Sequence, residues 1–219
     1  MGLAKANLSD QIYEMLREDI VHQRIKCGEK MTVKMLVERF QVSATPVREA
    51  LVRLAQEKLV TYHPNAGASV IELTDNDIRE LYEFVGDVDS LAIDYASRHP
   101  DNEELIEKLK ENLKKSRELI GVENADMWNA STDEFHMLFL DYCQNSRLME
   151  AAERVRSQLG IVSNQCGNFL SLQEQICRFH EEIFEAYERG DVQAAMDLMK
   201  QHMSESLIEE QRLLREEEK

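Results

Sequence analysis

The sequence predicts a mainly α fold in two parts. A winged helix-turn-helix with a small β-hairpin wing spans residues 1–74, and an all-α helical bundle of about six helices spans residues 75–219. Three observations carry this. Only 3 prolines and 8 glycines punctuate 219 residues, too few for the turns of an all-β fold. Apolar positions recur at helical spacing along almost the whole chain, broken by two short extended pieces near residue 60. The formal net charge of −16 is also unevenly placed. Residues 1–74 hold 10 Lys+Arg and 9 Asp+Glu, a net of +1, and residues 75–219 hold the other 16 and 33, a net of −17. Such asymmetry indicates two modules with different partners, of which only the first can approach a polyanion without repulsion.

The elements follow in order. Residues 8–25 carry Ile12, Leu16, Ile20 and Ile25 near helical spacing, with Ser9 as N-cap, and CGEKM breaks the helix at Gly28. A second helix runs from Thr32 to Phe40 with Val33, Leu36 and Val37 on its buried face. After the short link QVS, a third begins in VSATPVREALVRL. Ser43 fits its N-cap and Pro46 its first turn, where a missing N–H costs nothing. Val47, Leu51 and Leu54 then form an i, i+4, i+7 stripe. KLVTYH and ASVIEL, joined by PNAG, predict a hairpin. Thr74 caps a helix running to about Arg98, and further helices are predicted over 101–120, 124–145, 147–167, 170–189 and 191–216, with REEEK as a frayed end.

Three helices and a hairpin in about 65 residues is the order of a winged helix-turn-helix, whose second motif helix enters the major groove. Its N-terminal end offers unpaired N–H groups and a positive dipole to phosphate. Ser43 and Thr45 are small hydroxyls that allow close approach, and Pro46 fixes the turn. Arg48 is long enough to read a guanine edge, while Arg53 and Lys34 are candidate phosphate contacts. His63, in the wing, is a further DNA candidate. Exposed arginines on an ordinary core helix would look the same one at a time; the complete element order favours DNA.

VSATPVREALVRLAQEKLV resembles the recognition helix of the GntR family of bacterial regulators, close to VSRTPVREAL-RL--EGLV. The resemblance extends back to IYEMLREDIVHQRIKCGEKM and forward to HPNAGASV. It implies that Ser43, Thr45 and Arg48 contact DNA and that Asn65 and Gly67 approach the minor groove or the backbone. Ala44 stands where the family often has arginine, Cys27 where it has proline and Lys58 where glycine is common.

In the second part, His136, His180 and His202 each lie on or beside the apolar stripe of a separate helix. Three hydrogen-bonded core histidines are one reading. The other is convergence on a divalent metal, for which neutral imidazoles suit Zn or Ni, with an open position for a carboxylate ligand. This part resembles the FCD ligand-binding domain in LYEFV at 81–85, DEFHMLFLDYCQNSRL at 133–148, FHEEIFEAYERGDVQAA at 179–195 and His202. In that family's metal-binding members three histidines and an aspartate hold the ion, and His136, His180 and His202 fall on the histidine positions. Thr132 occupies the usual aspartate position, four residues before the first histidine, and Asp133, one residue on, is the candidate substitute. Val85 stands where many members carry arginine.

No H-E-x-x-H, G-x-S-x-G or phosphate-binding glycine loop is present, which argues against an enzyme. No apolar run approaches a membrane span and the N-terminus lacks a signal-like core, so a cytoplasmic protein is expected, with Cys27, Cys143, Cys166 and Cys177 as free thiols. The expectation is a homodimeric transcriptional regulator, more often repressing, that binds an inverted-repeat DNA operator and answers to a small organic acid, with Zn or Ni as candidate metal. A redox-responsive regulator acting through cysteines and a metal-dependent enzyme remain as alternatives.

Overall fold

The computed structural model describes residues 7–64, 66–122, 125–166 and 169–217. Two compact units divide at Thr74 and Asp75.

The first unit contains α1 (Leu8–Val21), β1 (Lys30–Met31), α2 (Val33–Phe40), α3 (Ala44–Gln56), β2 (Val60–His63) and β3 (Gly67–Val70). Ile12, Leu16 and Ile20 of α1 and Val47, Leu51 and Leu54 of α3 are all buried, and the two helices pack together. The α1 N-cap is Asn7 rather than Ser9; its N–H donates to Asp10 Oδ2 at 3.2 Å, and Ser9 is buried within the first turn. The helix also stops earlier than its apolar spacing predicts, with Gln23 at φ 56°. Asp19, nearly buried, explains the turn: its carboxylate accepts from Arg24 Nε at 2.6 Å and Arg39 Nη2 at 2.5 Å, and its carbonyl from the Ile25 N–H at 2.9 Å. Ile25 therefore returns to the core from outside the helix.

Thr32 caps α2, its hydroxyl accepting from the Met35 N–H at 3.2 Å. Ser43 is the N-cap residue of α3, which places Pro46 in the first turn. Past the end of α3, Lys58 takes φ 57°, the left-handed conformation that glycine adopts without a Cβ penalty.

The hairpin gains a third strand that the sequence reading missed. The sheet order is β1-β3-β2, with Lys30 opposite Ser69 and Met31 opposite Ala68. Two residues are too few to show strand alternation.

The second unit is a bundle of α4 (Asp75–Ala96), α5 (Asn102–Glu118), α6 (Ala125–Tyr142), α7 (Ser146–Cys166), α8 (Leu170–Glu188) and α9 (Val192–Glu217). The long α4 packs along α9 and crosses α6 and α7. The two helices α4 and α9 run close at Gly86, where a Cβ would meet that of Met203 at 3.4 Å, an ordinary contact distance. Ile93, Leu105, Leu109, Phe135, Phe139, Tyr187 and Met199 are buried in one core. Asn112 of α5 donates to the Ser131 carbonyl of α6 at 2.9 Å and the Ser116 and Ser131 hydroxyls pair at 2.7 Å, while Asn112 Oδ1 is buried without a partner among the described residues. No helix among the described residues is long and apolar enough to cross a membrane.

Candidate functional site

In the first unit, α3 turns Val47, Ala50, Leu51 and Leu54 inward. At 100° per residue the opposite face presents Thr45, Arg48, Glu49 and Val52, all exposed. Ser43, Thr45 and Arg48 make no side-chain hydrogen bond or ion pair among the described residues, so hydroxyls and guanidinium are free for another molecule. Lys34 is highly exposed, 3.9 Å from Glu38. His63 is exposed, with Nε2 3.5 Å from Ser69 Oγ. Asn65 lies outside the described residues.

Two candidates have other roles. Arg53 donates to Asp10 of α1 at 2.5 Å, and its guanidinium lies 4.0 Å from the centre of the Tyr13 ring. It braces α3 against α1 instead of standing free for phosphate. Gly67 is buried with φ 122°, and a Cβ there would sit 2.1 Å from the Met31 carbonyl oxygen. Its requirement for glycine comes from the crossing with β1, not from the approach of DNA.

In the second unit, α6, α8 and α9 bring His136, His180 and His202 together. Ring centroids are 5.0 Å apart for His136 and His180, 4.9 Å for His180 and His202, and 5.4 Å for His136 and His202. One ring nitrogen from each lies within 4.8 Å of the others. Phe135 stacks on His180 with centroids 4.0 Å apart, fixing that ring, and Ser206 Oγ lies 3.4 Å from His202 Nδ1. All three imidazoles are buried. Burial first, then the neighbouring His202, His136 and Arg156, holds His180 well below the ordinary histidine range. Burial and His136 do the same to His202, against an opposing pull from Asp89. Both are therefore neutral at pH 7, the form that ligates.

The carboxylate beside this cluster is not the expected Asp133. Asp133 points out of the bundle, exposed, and accepts from Arg156 Nη1 at 2.8 Å. The Thr132 hydroxyl is occupied with the Asn129 carbonyl at 2.9 Å. Position along the helix explains both: residues three and four before His136 lie near its face, but at the edge where α6 meets solvent and α7. Asp89 of α4 takes the inner place. Its Oδ2 is 2.9 Å from His136 Nδ1 and accepts from Arg156 Nη2 at 2.6 Å. Burial opposes ionisation of Asp89, but Arg156 and then His136 outweigh it and hold the carboxyl below its usual value. Sequence reasoning missed Asp89 and Arg156 because it surveyed histidines. The signal was there: Asp89 interrupts the buried series Tyr82, Val85, Val88, Ala92 and Ile93, and Arg156 follows buried Ala152 by four.

The cluster fits a divalent metal on one observation in particular. Both ring nitrogens of His180 are buried without a hydrogen-bond partner among the described residues. A buried polar atom left unpaired costs about 1–3 kcal/mol, and an ion accepting the His180 lone pair would remove part of that cost. His136, His180 and His202 are the residues that would hold it.

Among the described side chains, Cys143 and Cys177 carry no mark of reactive thiolates. Burial, with Glu181 adding to it, pushes the Cys177 thiol up to about 11. Cys143 is buried, with Sγ 3.7 Å from the Asn145 carbonyl oxygen. The Cys166 side chain lies outside the described residues.

With this geometry in place, similarity to known proteins becomes informative. A family model for bacterial regulatory proteins of the gntR family matches residues 8–70, and one for the FCD domain matches residues 80–205. The HTH-type transcriptional repressor RspR of Escherichia coli (strain K12) is 29% identical over 210 residues, covering 96% of this chain and 91% of that protein. The gluconate operon transcriptional repressor of Bacillus subtilis (strain 168) is 31% identical over 134 residues, covering 61% of this chain and 54% of that one. Among solved structures, Escherichia coli McbR/YncC superposes with a TM-score of 0.79 at 20% identity, over 96% of this chain and 100% of that one, a likeness of fold.

Proposed function

The chain belongs to the gntR family of bacterial regulatory proteins and carries an FCD domain, and from that premise we propose that a small organic acid, bound beside a divalent metal in the helical unit, sets the affinity of the winged unit for its operator. The metal is zinc or nickel, held by His136, His180 and His202. The observation that carries this reading is the unpartnered His180 in a cluster of three buried imidazoles. Three protein ligands leave coordination positions open. A carboxylate can fill one of them, and the buried Arg156 Nε, also without a partner among the described residues, is a donor suited to it. The relative named for the gluconate operon supports a sugar acid or similar carboxylate, and two relatives named as repressors support repression.

On DNA, Ser43, Thr45, Pro46 and Arg48 form the leading edge of the recognition helix. Lys34 and His63 flank it, and Asn65 belongs to the wing. The protein acts in the cytoplasm as a homodimer on an inverted repeat, because one helix reads only a few base pairs and a two-fold dimer doubles the site. Phe84 and Leu91, exposed two turns apart on α4, support a subunit contact along that helix. The effector works by linkage: it binds one arrangement of the dimer better and shifts the population toward it. The test is direct. Zinc and nickel titrations of the purified chain come first, then a thermal-shift screen of small carboxylates with the metal bound. Absence of metal binding up to millimolar concentrations would remove the metal and leave the DNA reading standing.

A further inference from the structure

His136 is the one imidazole of the three with an anion beside a ring nitrogen among the described residues. Its Nδ1 lies 2.9 Å from Asp89 Oδ2, close though bent from the ideal hydrogen-bond line, and both side chains are almost fully buried. An ionised carboxylate only accepts. A nitrogen at that distance from it is stable as N–H, which leaves the lone pair of His136 on Nε2. Asp89 is in turn held by Arg156, and Arg156 by Asp133, so four side chains from α4, α6 and α7 form one connected chain. Asp133 is exposed and screened by solvent, so Asp89 is the buried negative charge beside three imidazoles that bring none.

We propose that Asp89 is a positioning residue: it fixes His136 as the Nδ1–H tautomer, aims Nε2 at the metal position, and supplies from behind the imidazole the negative charge that the three histidines lack. The proposal rests on the metal reading above, but its first consequence is measurable without metal. Carboxylates that orient a ligating histidine in this way change metal affinity by ten- to a hundredfold when removed. Because α4 carries Asp89, the same contact ties the site to the first helix after Thr74.

The test uses the full chain. Long-range 1H–15N correlation spectra of the metal-free wild-type protein report the His136 tautomer, assigned through His136→Gln. Nδ1–H is expected, and Nε2–H would overturn the proposal. Zinc competition against a chromophoric chelator is then run on wild type, Asp89→Asn and Arg156→Gln. Asp89→Asn should weaken zinc ten- to a hundredfold and mix the two tautomers, while Arg156→Gln should keep the Nδ1–H form because Asp89 remains. Equal tautomer changes in both variants would reduce Asp89 to a structural ion pair, and unchanged zinc affinity in folded Asp89→Asn would also overturn the proposal. If Asp89→Asn does not fold, the wild-type tautomer decides. A wild type that binds no zinc yet shows Nδ1–H defeats the metal reading and leaves the orientation of His136 by Asp89 in place.

Discussion

Arg156 Nη1 lies 2.8 Å from Asp133 Oδ1, and that contact holds the carboxylate at the solvent edge of α6, away from His136 one helical turn further on. Asp133→Ala should therefore leave zinc affinity within a few-fold of wild type, since it removes an exposed partner of Arg156 and no ligand. His180→Ala should abolish tight binding. Isothermal titration with zinc checks both; loss of binding in Asp133→Ala would return Asp133 to the ligand set.

Arg48 and Arg53 lie on one helix and should behave differently. Arg48, exposed and unpaired, should cost about 1–3 kcal/mol of specific DNA binding on replacement by alanine if it reads a base edge. Arg53→Ala breaks a half-exposed ion pair to Asp10 and a contact with Tyr13, a loss of about 1 kcal/mol or less in stability. Anisotropy titrations at several salt concentrations separate the two. A salt slope reduced by about one in Arg53→Ala would restore its role as a phosphate contact.

The predicted winged helix-turn-helix and its bundle were legible because long amphipathic helices announce themselves by period and by breaks at Gly121 and Gly190. The three histidines were legible for the same reason, each being a polar intrusion on an apolar stripe. Asp89 is an intrusion of the same kind, but its pairing with His136 and Arg156 depends on how α4 crosses α6 and α7, which no local pattern encodes. Gly67 shows the converse. Its place in the wing suggested DNA, and only the approach of β1, a strand too short to see in the sequence, shows why glycine is required.

Glu210 of α9 is buried, accepts from the Tyr82 hydroxyl, and has its carboxyl pushed up to about 7, chiefly by burial. A raised carboxyl pKa means that the folded state holds a proton the unfolded chain releases. The associated stability is complete below pH 4 or so, and is lost as pH rises through 7. Glu210→Gln should abolish this loss, gaining up to about 3 kcal/mol over wild type at pH 8 and little at pH 5. Melting temperatures at the two pH values check it; an equal effect at both would mean that Glu210 is ionised throughout.

Asp19 has the opposite sign. Burial opposes its charge, but Arg24 and Arg39 hold its carboxyl below the ordinary value, so its contribution is present above about pH 4 and lost on further acidification. Asp19→Asn should lower the melting temperature at pH 7, and its difference from wild type should shrink as pH falls below about 4. A difference that stays constant on acidification would assign the effect to packing.

Phe84→Glu with Leu91→Glu places two charges on the exposed face of α4. If the proposed α4 contact forms the dimer, sedimentation velocity should show the wild type as a dimer and the double variant as a monomer, with helicity unchanged. A dimer that survives both substitutions would move the interface elsewhere.

The most direct measurement is operator affinity of the full chain by fluorescence anisotropy, on a duplex obtained by in vitro selection, with and without zinc and a carboxylate found in the thermal-shift screen. The carboxylate should change operator affinity about 5- to 150-fold with zinc present, and chelation or His180→Ala should remove the response while leaving DNA binding itself intact. An operator affinity that ignores the carboxylate, or a response of the same size in His180→Ala, would contradict control of the operator through the histidine site.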